Sequence, residues 1–376
     1  MYQAIYVHIP FCQSKCIYCD FTSYKSLYAT QVDEYVDALC AEISSADIVQ
    51  KTPITLYFGG GTPSLLDEGQ LSRIFVALNK IGADFSEVSM ECNPGTVSKE
   101  KLRAFKDIGV NRLSFGVQSF SDELLRMLGR IHTAKQALQA VEDARWAGFD
   151  SISMDLMYSL PKQNINDVIC DLQTAVSMKI PHLSCYALKV EIDTPLHNLV
   201  HEGKLVLPDE DLEDEMYDFI PQYLKEHGYQ RYEISNFSLE GYACKHNKVY
   251  WQYRPYKAFG VSGCSFDGFS RYTNTTSLSE YIEAYKNQLP VPHSVEKLDK
   301  AIRQAEFIFM NMRTAEGVSA REFEDVFEVG FLDKYADFLS KNIARGVIIC
   351  LPSKQYVLSE RGFKYSNTVF EDLLVF

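Results

Sequence analysis

The run from Tyr6 to Phe21, YVHIPFCQSKCIYCDF, limits what this chain can become more than any other stretch. Ile5 to Ile9 is a short β-forming run that Pro10 ends. Cys12, Cys16 and Cys19 follow at C-x3-C-x2-C spacing. Three thiolates this close repel one another unless a cation or a cluster sits between them. A structural zinc needs four ligands, and iron–sulfur clusters are held by cysteine sulfur. The local count stops at three. That count fits a zinc site completed by His8 or a distant cysteine, or a reduced loop with no ligand. It also fits a 4Fe–4S cube that keeps one iron open to a small molecule.

At 376 residues the chain exceeds the size at which one hydrophobic core stops growing, so more than one domain is expected. The net charge of −13 argues against broad attraction to nucleic acid or anionic lipid, and neither is expected as a partner. Beyond the N-terminal trio, Cys40, Cys92, Cys170, Cys185, Cys244, Cys264 and Cys350 sit mostly among apolar neighbours, as small core residues do. There is no basic leader and no apolar run near the ~20 residues a membrane span requires. The cysteine loop also starts too close to Met1 for a removed presequence. The expectation is a reduced, cytoplasmic protein without a transmembrane segment.

Strand-like and helix-like patterns alternate after the cysteine loop. Helical spacing runs from Asp33 to Ile48, and a buried strand from Ile54 to Phe58 lies between Pro53 and a glycine run. Further strands are expected near 88–92, 112–117, 151–157 and 182–187, and helices near 99–106, 134–147 and 168–178. Six β/α repeats specify a parallel sheet with helical crossovers but fall short of the eight that close a TIM barrel. The fold class is therefore α/β: an open three-quarter (β/α)6 barrel over 1–195, with its site at the C-terminal strand ends. A loop-rich, aromatic extension over 196–298 is expected to pack on it. Residues 299–376 read as helices around 299–314, 319–327, 331–343 and 362–374, with a hairpin at 346–358. That order resembles a winged helix, yet the segment holds 10 Lys+Arg against 12 Asp+Glu. Glu322, Glu324, Asp325 and Glu328 lie on the helix that would enter a groove, where phosphate would repel them.

Polar residues recur at the predicted strand ends. Gly59-Gly60-Gly61-Thr62-Pro63 follows the second strand, and without side chains its backbone can approach a ligand closely. Glu91 ends the third strand, Gln118 the fourth, and Asp155 lies near the end of the fifth. A charge inside an apolar run is costly to bury unless paired, so Glu91 and Asp155 suit hydrogen-bond donors such as ribose hydroxyls. Arg130 offers a planar fork for a carboxylate. The plain alternatives are a tight turn for the glycines, a water-facing edge for Glu91 and a solvated helix end for Arg130.

Several ordered motifs span nearly the whole chain: YVHIPFC, CIYCDF, FGGGTPS, ECNPGT, NRLSFGVQSF with LGRIH, DLMYSLP, HLSCYALKVE and YEISNF. Together they resemble the radical S-adenosylmethionine (SAM) superfamily and, within it, the oxygen-independent coproporphyrinogen III oxidase-like branch. The resemblance implies a 4Fe–4S cluster on Cys12, Cys16 and Cys19, with SAM on the open iron and a 5′-deoxyadenosyl radical from its reductive cleavage. It places SAM contacts at Tyr6, Tyr18, Gly61, Thr62, Glu91, Gln118, Arg130 and Asp155, with Ala187 as a weaker candidate. Tyr158-Ser159-Leu160-Pro161 departs from the branch's usual Tyr-Gly-Leu-Pro.

Two kinds of protein share that branch. The decarboxylating oxidase carries a fourth cysteine two positions after the third, where this chain has Phe21, and a longer segment before the first strand. The HemW-type haem chaperones lack both, and His246-Asn247-Lys248-Val249-Tyr250-Trp251 is similar to their H-N-x-x-Y-W element. The resemblance thus implies a chaperone that binds cluster, SAM and haem, with His246 as haem ligand, and passes haem to an acceptor protein. An electron donor is a further partner if SAM is cleaved. The alternative is the oxidase itself, which removes carboxyl groups from porphyrinogen propionates.

Overall fold

The computed structural model describes residues 1–376 except 26–28, 47, 49–53, 83, 372 and 374–376. The expected boundary at Pro53 and the last helix's end at Leu374 lie outside the described residues. Six parallel strands carry the first half of the chain: β1 (Ala4–Ile9), β2 (Ile54–Gly60), β3 (Phe85–Cys92), β4 (Arg112–Gln118), β5 (Ser151–Tyr158) and β6 (His182–Ala187). Each pairs with the next in sequence order. Helices Ala29–Ser45, Glu68–Lys80, Lys99–Ile108, Ala134–Trp146 and Ile165–Ser177 cross between them. Side-chain caps from Asp67, Ser98, Thr133 and Asn164 start four of these helices, each worth about 1 kcal/mol. The helix Glu68–Lys80 was not anticipated above, although its Asp67–Gln70 capping box is a start signal.

Alternation along the strands divides two environments. Val7, Ile9, Leu56, Phe58, Met90, Phe115, Met154 and Leu183 join one hydrophobic core with the covering helices. The intervening positions are polar on β1 to β6: Tyr6, His8, Thr55, Tyr57, Glu87, Glu91, Arg112, Ser114, Asp155, His182 and Ser184. Parallel strands buried on both faces usually read as continuous apolar runs. Here the inner face is polar, so its groups must find partners or a ligand.

The extension contributes more regular structure than its composition suggests. Its strand β7 (Tyr256–Phe259) pairs in parallel with β1, and β8 (Cys264–Phe266), β9 (Ser270–Asn274) and β10 (His293–Lys297) continue antiparallel. Asn236–Ser238 and Gln230–Arg231 extend the sheet beyond β6. Among the described residues this is one twelve-stranded sheet with two free edges, open rather than closed.

A short helix, Lys245–Trp251, sits against the N-terminal ends of β2 and β3. Glu87 on β3 accepts the backbone N–H groups of Lys245 and His246, each at 3.0 Å. The His246 ring bonds the Thr55 hydroxyl through Nδ1 and the Tyr250 hydroxyl through Nε2, both at 2.8 Å, and has no solvent exposure. A second core forms from Phe307, Phe323, Phe327, Phe331 and Tyr335, within helices Lys300–Met312, Ala320–Phe327 and Phe331–Ala344. Strands Val318–Ser319, Gln355–Leu358 and Ile348–Cys350 complete that C-terminal unit. Its acidic helix turns Glu322 onto Arg254, so part of the charge that would repel phosphate forms an internal ion pair. Among the described residues no helix is long and apolar enough to cross a membrane.

Burial, and after it the Arg112 charge, pushes the His246 pKa down to about 3. The unfolded imidazole titrates near 6.5, so below that pH the unfolded chain binds a proton that the folded chain refuses. Stability contributed by neutral His246 is therefore complete above pH 6.5 and falls as pH drops toward 3. The loss amounts to about 2 kcal/mol by pH 5. His246→Gln removes this contribution, so its stability deficit in urea unfolding is expected to shrink by about that amount between pH 7 and pH 5. A deficit unchanged with pH would contradict a neutral, buried imidazole.

Candidate functional site

The C-terminal ends of β1 to β6 enclose a cavity of about 470 Å3. Cys12, Cys16 and Cys19 all line it, as do Tyr18, Gly61, Thr62, Glu91, Gln118, Arg130 and Asp155. Ala187, the last residue of β6, lines it as well. Tyr6 stands apart, on the wall of an adjoining cavity, with its hydroxyl 3.1 Å from His8 Nδ1.

The cysteine loop leaves β1 at Pro10 and is tied back by the Tyr24 N–H on the Pro10 carbonyl, at 2.6 Å. Cys12 is buried, and Cys16 and Cys19 are half-buried. Thr62 donates to Cys12 Sγ at 3.6 Å, and Arg130 Nη1 to Cys16 Sγ at 3.3 Å. Burial raises the Cys19 pKa, and the neighbouring Cys16 and Cys12 sulfurs raise it further, against the Phe21 amide and Lys15. A positive partner between the sulfurs would relieve that repulsion. Among the described residues, no three His, Cys, Asp or Glu side chains stand close enough to share one metal ion. The three cysteines share the wall of one cavity without converging on a single point. His8 Nε2 donates to the Thr22 carbonyl oxygen at 2.9 Å, which leaves Nδ1 to accept from the Tyr6 hydroxyl, so a zinc completed by His8 would have to break one of these bonds.

The glycine run packs against this loop with no room for side chains. A Cβ on Gly61 would lie 2.7 Å from the Phe11 carbonyl oxygen, and one on Gly60 would lie 2.4 Å from the His8 ring. Gly60 also has φ of 109°, a region that L-residues rarely adopt. Glu91 braces the turn: Oε2 accepts from the Gly60 N–H at 3.1 Å and Oε1 from the Tyr57 hydroxyl at 3.0 Å. Burial and then the Asp155 charge push the Glu91 pKa up to about 7. Its carboxylate is thus partly committed to the protein, and its remaining lone pairs face the cavity it lines.

Asp155 accepts from Ser114 Oγ at 3.1 Å; burial raises its pKa, and the Ser184 and Ser114 hydroxyls oppose that rise. Gln118 sits where the β4–β5 register shifts and has φ of 71°. A non-glycine residue there costs about 1–3 kcal/mol, strain that tends to collect at functional sites. Tyr186 donates to its Oε1 at 3.1 Å. Arg130 reaches the Gly116 carbonyl at 2.5 Å, and its Nε is buried without a partner. An unsatisfied guanidinium donor beside two strand-end carboxylates and three sulfurs fits a ligand that brings its own acceptors.

Ser114, Ser184 and Tyr186 were not singled out in the sequence. Their signal was faint: Ser184 stands in register beside Asp155, and Ser114 and Tyr186 lie one inward position away on β4 and β6. Ser159, where the branch usually has glycine, has φ of 58°, so the chain keeps the left-handed turn at some cost. His246 is not brought to this mouth. It lies at the opposite end of the strands with both ring nitrogens bonded, and iron ligation there would require losing Thr55 or Tyr250.

Residues 6–174 match the radical SAM superfamily model. The heme chaperone HemW of Bacillus subtilis is 36% identical over 373 residues, covering 98% of each chain. The chain belongs to the HemW family of radical SAM proteins. HemW of Lactococcus lactis is 35% identical, covering 98% of this chain and 97% of that one, and HemW of Escherichia coli is 33% identical with the same coverage. The solved coproporphyrinogen III oxidase HemN of Escherichia coli superposes with a TM-score of 0.83 at 22% identity, over 98% of this chain and 89% of that one. HemW and HemN thus share the open barrel, and at that identity the likeness concerns the fold alone.

Gly60→Ala tests the packing of the turn on the cysteine loop. It is expected to lower stability by about 2 kcal/mol or more, read as a shift in the urea midpoint at constant slope. Gly69→Ala, on a helix surface with its nearest neighbour 3.4 Å away, is expected to be neutral or mildly stabilising. Equal midpoints for Gly60→Ala and the unmodified protein would contradict the packing.

Proposed function

We propose that this HemW-family chain is a haem chaperone. In this reading Cys12, Cys16 and Cys19 hold a 4Fe–4S cluster, the strand-end cavity holds SAM, and bound haem passes to an acceptor protein. The observation that carries it is a three-cysteine set lining one cavity, with Phe21, 63% exposed, at the fourth cysteine position of the oxidases. HemN's resemblance extends to fold and does not argue for decarboxylation.

When bound, a cluster with one open iron would supply a one-electron reductant and a docking point for SAM. The chain's own residues do the rest. Arg130 offers its unpaired Nε–H to a carboxylate and screens the Cys16 sulfur. Asp155, fixed by Ser114, and Glu91, fixed by Tyr57, present acceptors to ribose hydroxyls. Gly61, packed without a side chain on the cysteine loop, and Thr62 line the same cavity. The free cysteines and the lack of a membrane-crossing helix among the described residues agree with a cytoplasmic setting. The acceptor and any electron donor are proteins of unassigned identity.

Anaerobic reconstitution followed by iron and sulfide analysis is expected to give about four of each per chain, by the composition of the cluster. Cys16→Ser is expected to lose most of both while remaining folded. A Cys16→Ser protein that still held four irons would contradict the ligand set. Vinyl-bearing product from coproporphyrinogen, with SAM and a reductant, would favour the oxidase instead.

A further inference from the structure

A second cavity, of about 540 Å3, lies beside the first, between strands β7 to β9 and helix Lys300–Met312. Its size is within the range of small-molecule sites, about 300–1,000 Å3. Asp20 and Phe21, directly after Cys19, line both cavities and form the partition between them. The walls are aromatic. Tyr250 packs edge-on against Tyr256 with centroids 4.6 Å apart, and Tyr253 lies 4.7 Å from Phe266. Flat apolar walls of this kind suit a planar macrocycle. Arg254 and Arg271 line the cavity too, with donors beyond the one that Arg254 gives to Glu322 and the two that Arg271 gives to Glu306 and Glu296. Propionates could be met there, while Asp20 and Glu306 keep the rim from being strongly cationic.

We propose that haem binds in this cavity, and that His246 is a positioning residue there rather than the iron ligand; the inference rests on the haem reading above. His246 Nε2 holds the Tyr250 hydroxyl at 2.8 Å, Thr55 holds the other ring nitrogen, and Tyr250 is the member of this chain of contacts that reaches the cavity. The H-N-x-x-Y-W element would thereby shape the haem wall from beneath. The iron-ligating atoms the cavity offers are tyrosine hydroxyls and two sulfurs. Cys264 and Met310 both line it, whereas His8 has both ring nitrogens occupied. Neighbouring haem and cluster cavities would put the two cofactors on either side of the Asp20–Phe21 segment.

The test is haem titration of the cluster-loaded full chain, followed in the Soret band, with haem dimethyl ester as a second probe. Met310→Trp, which fills the cavity, is expected to weaken haem binding at least tenfold. Arg254→Ala, at a partly exposed position, is expected to weaken haem by about tenfold and the ester hardly at all, the retained ester binding showing that the fold is kept. His246→Ala and Tyr250→Phe are expected to weaken binding to similar extents and non-additively when combined, with the Soret maximum at saturation unmoved. Wild-type affinity and spectrum in both Met310→Trp and Arg254→Ala would overturn the site and leave the haem reading standing. A Soret maximum that shifts in His246→Ala and returns on adding imidazole would overturn the positioning role. No saturable binding by the unmodified protein would overturn the haem reading, and the site with it.

Discussion

Repulsion among three sulfurs held at one rim is the force around which this molecule is arranged. Within and beside the loop, Lys15 and the Phe21 amide oppose it only in part, since the Cys19 pKa is still raised. Cys19 feels both of its partners, and the nearest fixed positive group is the Arg130 guanidinium on Cys16. Phe21 stands where the oxidases have a fourth cysteine and adds neither a ligand nor a charge. The chain therefore presents an incomplete ligand set to a cavity whose other walls include two carboxylates and one unsatisfied donor. Such a surface is poorly arranged as a self-contained core and well arranged for a charged ligand that completes it.

The open barrel makes this possible by separating its apolar and polar faces. Outward side chains pack under the helices, while inward ones form two polar layers. The upper layer (Glu91, Ser114, Asp155, Ser184) faces the cavity. The lower layer (Thr55, Glu87, Arg112, Ser153, His182) is satisfied internally apart from Arg112 Nε, which is buried with no partner: His182 bonds Ser153 at 2.7 Å and Tyr232 at 2.8 Å, and Glu87 caps the short helix that carries His246. Buried charge on this scale is tolerated only with partners. One layer finds them within the protein, and the other leaves places for a ligand.

Much of this was legible from residue order alone. β/α alternation, the glycine run and strand-end polar residues predicted an open barrel with its site at one mouth, and the predicted SAM residues other than Tyr6 do line a single cavity. The seventh parallel strand, Tyr256–Phe259, was missed because its four residues sit among aromatics and glycines that read as loop. The helix Glu68–Lys80 was overlooked although its capping box and the helical spacing of Leu71, Ile74 and Leu78 were both readable in the sequence. The position of His246 was also hidden. Its neighbours in sequence are aromatic, which suits a haem wall, but its contacts are with Thr55 and Tyr250, and the first of these is 191 positions away. A local motif carries no information about which end of a barrel it will occupy.

The most direct measurement of the vacant corner is electron paramagnetic resonance of the reconstituted, chemically reduced protein, recorded with and without SAM. SAM that joins the iron left without a cysteine must alter the cluster's signal, and isotopically labelled SAM must show hyperfine coupling to it. A signal indifferent to SAM, or a colourless protein carrying one zinc per chain, would contradict a three-cysteine cluster site.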